Sequence, residues 1–302
     1  MSFYPHGMDM NNGTITVDAA LNNPTTIEQR VAEVASKNMF VESLFSSDNA
    51  PVEGGGVIYS KTTQKHLYMD KDVENRTPGE EYPVVFAETP EARLARVNDF
   101  GGKFAVTDEA RRRNQAIDFD NDVTKLSNTI TRKLNREAVK TVQEAVDEGD
   151  GVNVLMVNTP WSKVNINGMP TSLTEPRERP DAAFATLQAV ADTQELGVTY
   201  SKLLVHPTSF ADLRVAYGTG LKALLDDYSL EAIPSVHVPK TEAYLVDPGQ
   251  LGFIRYEESL TINTFRDEHR RLTWVQGYAM PVMGVTLPGA LGVIKGIQKE
   301  QA

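Results

Sequence analysis

The sequence predicts a mixed α+β fold in which one part of the chain lacks a core of its own, and three observations support this. Residues 120–148 form one long amphipathic helical pattern. The sequence after them alternates short strand and helix patterns, as in a packed α/β segment. The first hundred residues are polar and glycine-punctuated, and their strand-like pieces have apolar faces that need a partner. We therefore predict an assembly subunit that buries surface on neighbouring copies.

The composition bounds the class of protein. The 302 residues suffice for one large or two moderate domains, and a hydrophobic fraction of 40% is ordinary for a globular chain. No apolar run approaches the ~20 residues of a membrane span, and the N-terminus lacks a signal-peptide pattern, so we expect a soluble, non-membrane protein of cytoplasmic origin. Cysteine is absent, which excludes disulfides and thiolate metal sites. The net charge of -11 argues against tight binding of nucleic acid but is compatible with enclosing it.

The N-terminal hundred residues contain one short helical pattern and several strand patterns. A helix is predicted over 26–38 because Ile27 and Val31 recur at helical spacing. The glycines at 54–56 indicate a hinge, and 77–79 indicate a turn, with few apolar residues between them. Strands are predicted at 57–60, 84–87, 93–97 and 103–106.

The long helix is predicted to have one apolar and one charged face. Before it, Thr107 fits an N-cap with Asp108 and Glu109 in the first turn, and after it Gly149 provides a stop. At 1.5 Å per residue the helix is about 40 Å long. The apolar stripe is Val123, Leu126, Ile130, Leu134, Ala138, Val142 and Ala145. The opposite face is Lys125, Arg132, Lys133, Arg136, Lys140 and Glu144.

The rest of the chain predicts alternating helices and strands. Pro180 fits the first turn of a helix that extends to residue 196, where Gly197 ends it, and a second helix is predicted over 207–217. Strands or apolar runs are predicted at 203–205, 236–238, 243–246, 252–255, 259–265, 272–275 and 282–294.

One acidic motif imitates the start of a calcium-binding loop. Asp118, Asp120 and Asp122 have the spacing of the first ligands of an EF-hand, but Val123 stands where the loop needs glycine and Thr129 where it needs glutamate. These carboxylates are interpreted as favourable charges at the positive end of the long helix. The five histidines show no pairing at helical ligand spacing, so neither a metal site nor a cofactor is expected.

No other motif indicates an active site. There is no nucleophile-elbow serine, and Ser209 is interpreted as a helix-start residue. We therefore expect no enzymatic activity, with an enzyme of unknown chemistry on an α/β scaffold as the alternative. Arg111, Arg112 and Arg113 form the only dense basic run. Because no aromatic residues are interleaved, intersubunit salt bridges are favoured over contact with nucleic acid.

Three stretches carry a resemblance to a known family. They are KFAVTDEARRRN at 103–114, LLVHPTSFADLR at 203–214 and LPGALGVIKG at 287–296. In this order and spacing, the sequence resembles the major capsid proteins of tailed bacteriophages, which have the Hong Kong phage-type capsid fold. The resemblance covers most of the chain from about residue 57.

The resemblance implies an α+β capsid fold with four parts. An N-terminal arm (1–56) would reach across a neighbour, and an extended E-loop (57–92) would lie over the adjacent subunit. A peripheral domain (93–151 with the return segment 263–302) would hold the long "spine" helix. An axial domain (152–262) would present a loop near Tyr217 to Tyr228 to the five- and six-fold symmetry axes.

The resemblance also implies the function and the partners. The protein would assemble with itself into hexamers and pentamers of an icosahedral shell around double-stranded DNA, without sequence-specific binding. Assembly would take place in the host cytoplasm and lead to the virion, with a scaffolding protein, a portal and an optional decoration protein as partners. The candidate intersubunit residues are Thr77, Pro78, Gly79, Glu80, Arg111, Arg112, Arg113, Tyr217 and Tyr228.

Two points stay open within this interpretation. An encapsulin-type bacterial compartment shares the fold and is the alternative shell. Some relatives cross-link their shells through a Lys–Asn bond promoted by a Glu, but Thr77 stands in place of that Lys, and Arg270 and Gly277 align with the other two groups. We therefore predict a non-covalent shell, although Lys65 or Lys71 could bond to another Asn at a different site.

Overall fold

The computed structural model describes residues 10–11, 14–15, 17–22, 24–36, 39–113, 116–167 and 169–298. The helices in these ranges are α1 Val17–Asn22, α2 Pro24–Ser36, α3 Gln64–Leu67, α4 Asp108–Arg112, α5 Ala116–Glu148, α6 Pro180–Thr193, α7 Pro207–Tyr217 and α8 Gly220–Asp227. The strands are β1 Met10–Asn11, β2 Thr14–Ile15, β3 Ser46–Ser47, β4 Gly56–Ser60, β5 Ala92–Arg96, β6 Phe100–Thr107, β7 Asn153–Met156, β8 Lys202–Val205, β9 Glu231–Pro234, β10 Glu242–Val246, β11 Gly252–Asp267, β12 Leu272–Val285 and β13 Leu291–Lys295.

One four-stranded sheet supports the long helix. Its order is β3-β11-β12-β6, in which β11 and β12 form a long antiparallel hairpin, β6 is antiparallel to β12, and β3 is parallel to β11. Alternate residues of β12, including Val275 and Ala279, are buried. Between them, Gly277 lets α5 approach closely, because a Cβ there would lie 3.2 Å from Ile130 Cδ1.

The long helix α5 has 33 residues and is therefore about 50 Å long. It begins at Ala116, earlier than predicted, and the predicted stripe is confirmed, since all its members are buried except the partly exposed Leu126. All six residues of the predicted charged face are exposed. The predicted cap before it is also confirmed, because Thr107 Oγ1 accepts a hydrogen bond of 3.2 Å from the Ala110 amide.

The N-terminal helices pack on this same chain. Ile27 and Val31 of α2 are buried in a cluster with residues of α5 and the four-stranded sheet. Ser127 Oγ donates a hydrogen bond of 3.0 Å to the Val31 carbonyl, and Asn135 Oδ1 accepts one of 3.3 Å from the Phe40 amide. The described residues between 17 and 47 thus pack on their own chain. The reach of the N-terminal arm (1–56) across a neighbour stays a prediction, and residues 1–9 lie outside the described part of the chain.

A five-stranded sheet forms the second body, in the order β7-β13-β10-β8-β9. The outer pairs β13–β7 and β8–β9 are parallel, and β10 is antiparallel to both of its neighbours. Helix α6 covers it with buried Phe184 and Leu187. A buried hydrogen-bond network ties the sheet edge to the helix, because Asn153 Nδ2 donates to Tyr200 Oη at 3.0 Å and its Oδ1 accepts from Gln194 Nε2 at 2.7 Å.

The structure corrects four predicted strands. Residues 84–87 form no strand, and residues 236–238 lie in a turn that follows the strand Glu231–Pro234. The two strands predicted at 252–255 and 259–265 are one strand, β11, with register shifts between Tyr256 and Thr261. Helix α6 begins at Pro180 as predicted but ends at Thr193.

Two features bear on the proposed division of the chain into peripheral and axial parts. The boundary between 262 and 263 falls inside β11, which belongs to the four-stranded sheet throughout. The strand β13 belongs to the five-stranded sheet together with strands of the 152–262 segment, rather than to the sheet beside α5.

Candidate intersubunit surface

The base of the E-loop is a two-stranded ribbon with one buried and one exposed face. The strands β4 and β5 pair antiparallel, so that Ile58 lies opposite Leu94. Val57, on the other face, is buried in a small cluster with Phe253 and Val282. Ile58 and Leu94 are both exposed, so the ribbon presents an apolar pair to its surroundings.

An ion-pair cluster attaches this base to the end of α5. Glu148, the last residue of α5, pairs with Lys61 and with Arg93 Nη1, the latter at 2.6 Å. Lys61 directly follows β4, and Arg93 lies in β5. Lys61 is only 7% exposed. Burial raises the pKa of Glu148, but hydrogen bonds from Lys61 and Arg93 outweigh burial, and the net effect lowers the pKa of this carboxyl. The carboxylate thus stays charged and holds both sides of the loop.

Beyond the base, the E-loop is open to solvent. Every residue from 67 to 84 is exposed. Asp70 closes the distal loop, because its amide donates to the Phe86 carbonyl at 3.0 Å and its carboxylate accepts from the Phe86 amide at 2.7 Å. Tyr68 Oη donates to the Glu195 carbonyl at 2.6 Å, which ties the near part of the loop to the residues just after α6.

The tip of the loop is a hydrogen-bonded turn that contains all four predicted tip residues. The Glu80 amide donates to the Thr77 carbonyl at 3.1 Å, and Gly79, after Pro78, has a φ of +100°, which favours glycine. The Thr77 amide donates to Glu80 Oε2 at 3.3 Å, and hydrogen bonds from Thr77 lower the pKa of Glu80. The guanidinium of Arg76 lies 4.8 Å from the centre of the Tyr82 ring.

The loop also carries exposed apolar side chains, both between residues 56 and 77, where few were expected, and after the turn at 77–79. Val73 is 81% exposed, Tyr82 71% and Phe86 64%, and Leu67, Met69 and Val84 are exposed as well. Sequence reasoning assigned Val84 and Phe86 to a strand and missed the others because they show neither helical nor strand periodicity. The available signal for their exposure was that these apolar residues are interspersed with prolines and carboxylates.

The predicted arginine run lies beside a second set of arginines. Arg111 and Arg112 line a cleft of about 420 Å³ with Asp108 and Arg266, while Arg113 follows α4 at an exposed position. Arg266 donates two hydrogen bonds to the Asp108 carboxylate, from Nη1 to Oδ1 at 2.9 Å and from Nη2 to Oδ2 at 3.0 Å. Arg271 Nε lies 3.8 Å from Asp108 Oδ2. The hydrogen bonds from Arg266 hold the pKa of Asp108 below its ordinary value. Sequence reasoning missed Arg266 and Arg271, which only the fold brings to this site.

The two tyrosines predicted at the axial loop face inward. Tyr217 Oη donates to Asp181 Oδ1 at 3.1 Å, and the Tyr228 ring packs edge-on against Phe184 at 6.0 Å. Burial raises the pKa of both phenols. These tyrosines fix the two ends of the segment 217–228 to α6, and the exposed residues between them, such as Gly218 and Thr219, form its outer surface.

Other kinds of site receive no support in the described ranges. No group of three or more His, Asp or Glu residues there has an arrangement that could hold a metal ion. Asp118 lies in the first turn of α5, so its interpretation as a charge at the positive end of the helix is confirmed. Asp120 and Asp122 lie beyond that turn, and Asp120 pairs with Arg30 at 3.2 Å. Within the same ranges, no helix has the length and apolar character needed to span a bilayer.

The comparison with protein families decides the class. The profile of a family described as "Phage capsid protein" matches residues 90–296, which is more than half of the chain. The chain belongs to the phage capsid protein family. No curated protein matches this capsid protein in sequence.

Solved structures similar to the capsid protein share its fold at low identity. A virus-like particle from Pyrococcus furiosus has 11% identity and a TM-score of 0.57, with 90% of this chain and 98% of that chain covered. A phage-related protein from Bordetella bronchiseptica RB50 has 12% identity and a TM-score of 0.60, with 90% and 97% covered. The capsid of Cyanophage P-SCSP1u has 9% identity and a TM-score of 0.55, with 83% and 86% covered. The mixed helix and sheet architecture is thus the α+β capsid fold predicted from the sequence.

Proposed function

We propose that this capsid shell protein assembles into hexamers and pentamers of an icosahedral shell that encloses double-stranded DNA. The observation that carries the proposal is the E-loop, in which every residue from 67 to 84 is exposed although apolar side chains recur along it. A loop of this kind gains stability only when another surface covers it. In a shell, the covering surface is the neighbouring subunit.

The finer parts of the proposal follow the same logic. The apolar pair Ile58 and Leu94 lies on the same ribbon and extends the surface available to a neighbour. The outer surface between Tyr217 and Tyr228 would face the symmetry axes. The net charge of -11 would let packed DNA move without adhering to the wall. Assembly in the host cytoplasm, with scaffolding, portal and optional decoration proteins, completes the proposal.

Electron microscopy of the expressed full chain tests the proposal. We expect closed spherical particles by negative stain, and five- and six-fold capsomers after image averaging. A variant in which residues 67–88 are replaced by a short Gly-Ser linker should fold but form no particles. A monomer at all concentrations, seen by light scattering, would contradict the proposal.

The content of native particles separates a viral shell from a compartment. Particles purified from their natural host after nuclease treatment should contain protected double-stranded DNA. Protein cargo without DNA would instead support the encapsulin-type alternative.

The shell is further proposed to be non-covalent, because Thr77, Arg270 and Gly277 stand where cross-linking relatives place their reacting groups. Mature particles boiled in SDS should give a single band near 33.3 kDa. A ladder of multimers too large to enter the gel would show a covalent bond at some other pair of residues.

A further inference from the structure

The long helix α5 carries its charges in three blocks. Residues 116–124 contain three carboxylates and no basic side chain, and the same holds for residues 141–148. Between them, residues 125–140 contain five basic side chains and one carboxylate, which leaves a charge of +4 on a chain that carries -11 as a whole. The middle of this helix can therefore attract an anion that most of the chain repels.

The five basic side chains of the middle block form one continuous surface, which we call the basic stripe. At 3.6 residues per turn they fall within an arc of about 100° on the side of α5 opposite the buried stripe, and they extend over about 22 Å of its length. All of them are exposed. The members of the basic stripe are Lys125, Arg132, Lys133, Arg136 and Lys140.

The two arginines are the cations of the basic stripe that have no carboxylate of their own. Each of the three lysines contacts a carboxylate one turn away on α5. These pairs are Lys125 with Asp122 at 3.0 Å, Lys133 with Glu137, and Lys140 with Glu144 at 3.5 Å. In the described ranges, neither Arg132 nor Arg136 has an ion pair. Both guanidinium groups can therefore accept an external anion in bidentate geometry.

A groove of about 300 Å³ lies beside these arginines, between α5 and the edge strand β6. Arg132 and Arg136 line it on the α5 side, and Gly101 and Gly102 line it on the β6 side. In the register of β6 with β12, the amides of Asn98 and Asp108 both donate to the neighbouring strand, so even-numbered residues face β12. The Gly101 amide therefore points to the open edge and adds a neutral donor beside the two guanidinium groups.

We propose that the basic stripe binds the phosphate backbone of the DNA inside the shell, with Arg132 and Arg136 as its main contacts. This inference rests on the proposed shell function and names the part of the subunit that touches the contents. Duplex DNA carries one negative charge per ~1.7 Å of its axis, so one duplex can contact the whole stripe at once. Because the rest of the chain is acidic, we expect contact at the stripe alone, and it should be weak, independent of base sequence and sensitive to salt.

The composition of the stripe favours nucleic acid over another protein surface. Within residues 125–140, the only other side chain on the same arc is Thr129, so this surface has no apolar residue. The centre of a protein–protein interface is poor in charge, whereas nucleic-acid interfaces are polar and positively charged. A second copy of α5 fits poorly, because in-register pairing in either direction places like charges together.

Binding of the full-length soluble subunit to a duplex of about 20 base pairs tests the proposal. Fluorescence anisotropy is measured between about 50 and 200 mM salt. Arg132→Gln combined with Arg136→Gln should weaken binding about tenfold at the lowest salt and reduce the slope of log K against log salt by about 1.8, since each phosphate contact contributes about 0.9. Both residues are exposed, so the melting temperature should stay near the wild-type value.

Two further variants and a second duplex make the result specific. Arg132→Lys combined with Arg136→Lys keeps both charges and should keep the salt slope. Arg112→Gln combined with Arg113→Gln removes the same charge from two exposed arginines of the arginine run, and it should leave affinity and slope unchanged because Asp108 and Glu109 oppose a polyanion there. A duplex of unrelated sequence should bind with equal affinity.

Particle yield identifies the occupant of the stripe. The Arg132/Arg136 glutamine variant should form particles at the wild-type yield, because no contact between subunits is changed. Loss of particles with unchanged DNA affinity would assign the stripe to a carboxylate-bearing surface of another copy and overturn the proposal. Unchanged affinity at unchanged yield would also overturn it, while the shell function stands.

Two other outcomes are equally decisive. Loss of affinity only in the Arg112/Arg113 variant would overturn the proposal by moving the phosphate contact to the arginine run. If the wild type formed no particles but its subunit bound DNA with the expected dependence on Arg132 and Arg136, the shell function would fall and the phosphate contact would stand.

Discussion

The long helix α5 and the E-loop meet at Glu148, yet their side chains have opposite surroundings. Along α5, apolar residues at helical spacing are buried from Val123 to Val146. In the E-loop, apolar residues of similar size are exposed from Leu67 to Phe86. The helix gains its stability within one chain, whereas the apolar surface of the loop can be buried only by another molecule. We therefore expect the buried residues of α5 to fold the subunit and the exposed residues of the loop to join subunits.

The largest effect on folding is expected from the helix. Replacement of Leu134 by Ala should lower the free energy of unfolding by about 2–5 kcal/mol, because it removes a buried side chain from the main core. Denaturant titration of the soluble subunit measures this change. Lys125→Ala on the exposed face is the control, with an expected change below about 0.5 kcal/mol. Equal effects of the two substitutions would show that the buried face is assigned wrongly.

A smaller effect is expected where the two regions meet. Glu148→Gln leaves the buried Lys61 without its carboxylate and should lower the free energy of unfolding by about 1–2 kcal/mol, a modest figure because the Glu148 side chain is 45% exposed. Amide exchange at 61–66 and 92–96 should become faster. Glu144 forms an exposed ion pair with Lys140 at 3.5 Å, so Glu144→Gln should change neither the free energy of unfolding nor the amide exchange. Unchanged exchange in the Glu148 variant would mean that the ion pairs do not hold the loop.

The E-loop itself should show almost no effect on folding and a large effect on assembly. Phe86→Ala should change the free energy of unfolding by less than about 0.5 kcal/mol, because the ring is 64% exposed in the isolated chain. Particle yield should fall, since the ring is buried only after assembly. Amide exchange at residues 67–84 should be fast in capsomers and slow in closed shells. Equal protection in the two states would contradict this assignment.

The smallest expected effect is that of moderate acid. The pKa values of Glu148 and Asp108 are lowered from 4.5 and 3.8, so their ion pairs contribute stability above those pH values and lose it as the pH falls below them. Protection factors at the E-loop base should therefore be constant from about pH 8 to pH 5 and fall below pH 4.5. A transition near pH 6 would instead implicate a histidine.

Local patterns predicted the helices well because the relevant signal lies within one helix. The apolar stripe of α5 and the cap at Thr107 needed no knowledge of distant residues. Ser127 and Asn135, in contrast, are buried polar residues that bond to the N-terminal segment. Sequence alone places such residues on a solvent face, because their partners lie more than ninety positions away.

The strands and the candidate surface were predicted less completely, because they too depend on partners that lie far away in the sequence. Residues 84–87 have strand-like composition but no partner strand, so they remain irregular. The arginine run was recognised, whereas Arg266 and Arg271 join it only through the β11–β12 hairpin. The exposure of the apolar residues of the E-loop was not predicted, because exposure to solvent is a property of the fold rather than of any local pattern.

The placement of β13 has a consequence for synthesis on the ribosome. This strand lies between β7 and β10, although it follows both in the chain, and in its sheet β7 pairs only with it. When a nascent chain extends only as far as β10, its β7 therefore still lacks a hydrogen-bonding neighbour. The five-stranded sheet is complete only once the last strand is present, so a chain that ends before residue 291 has an open sheet. We therefore expect a chain truncated before residue 291 to expose unpaired strand edges, at which other chains can add a strand.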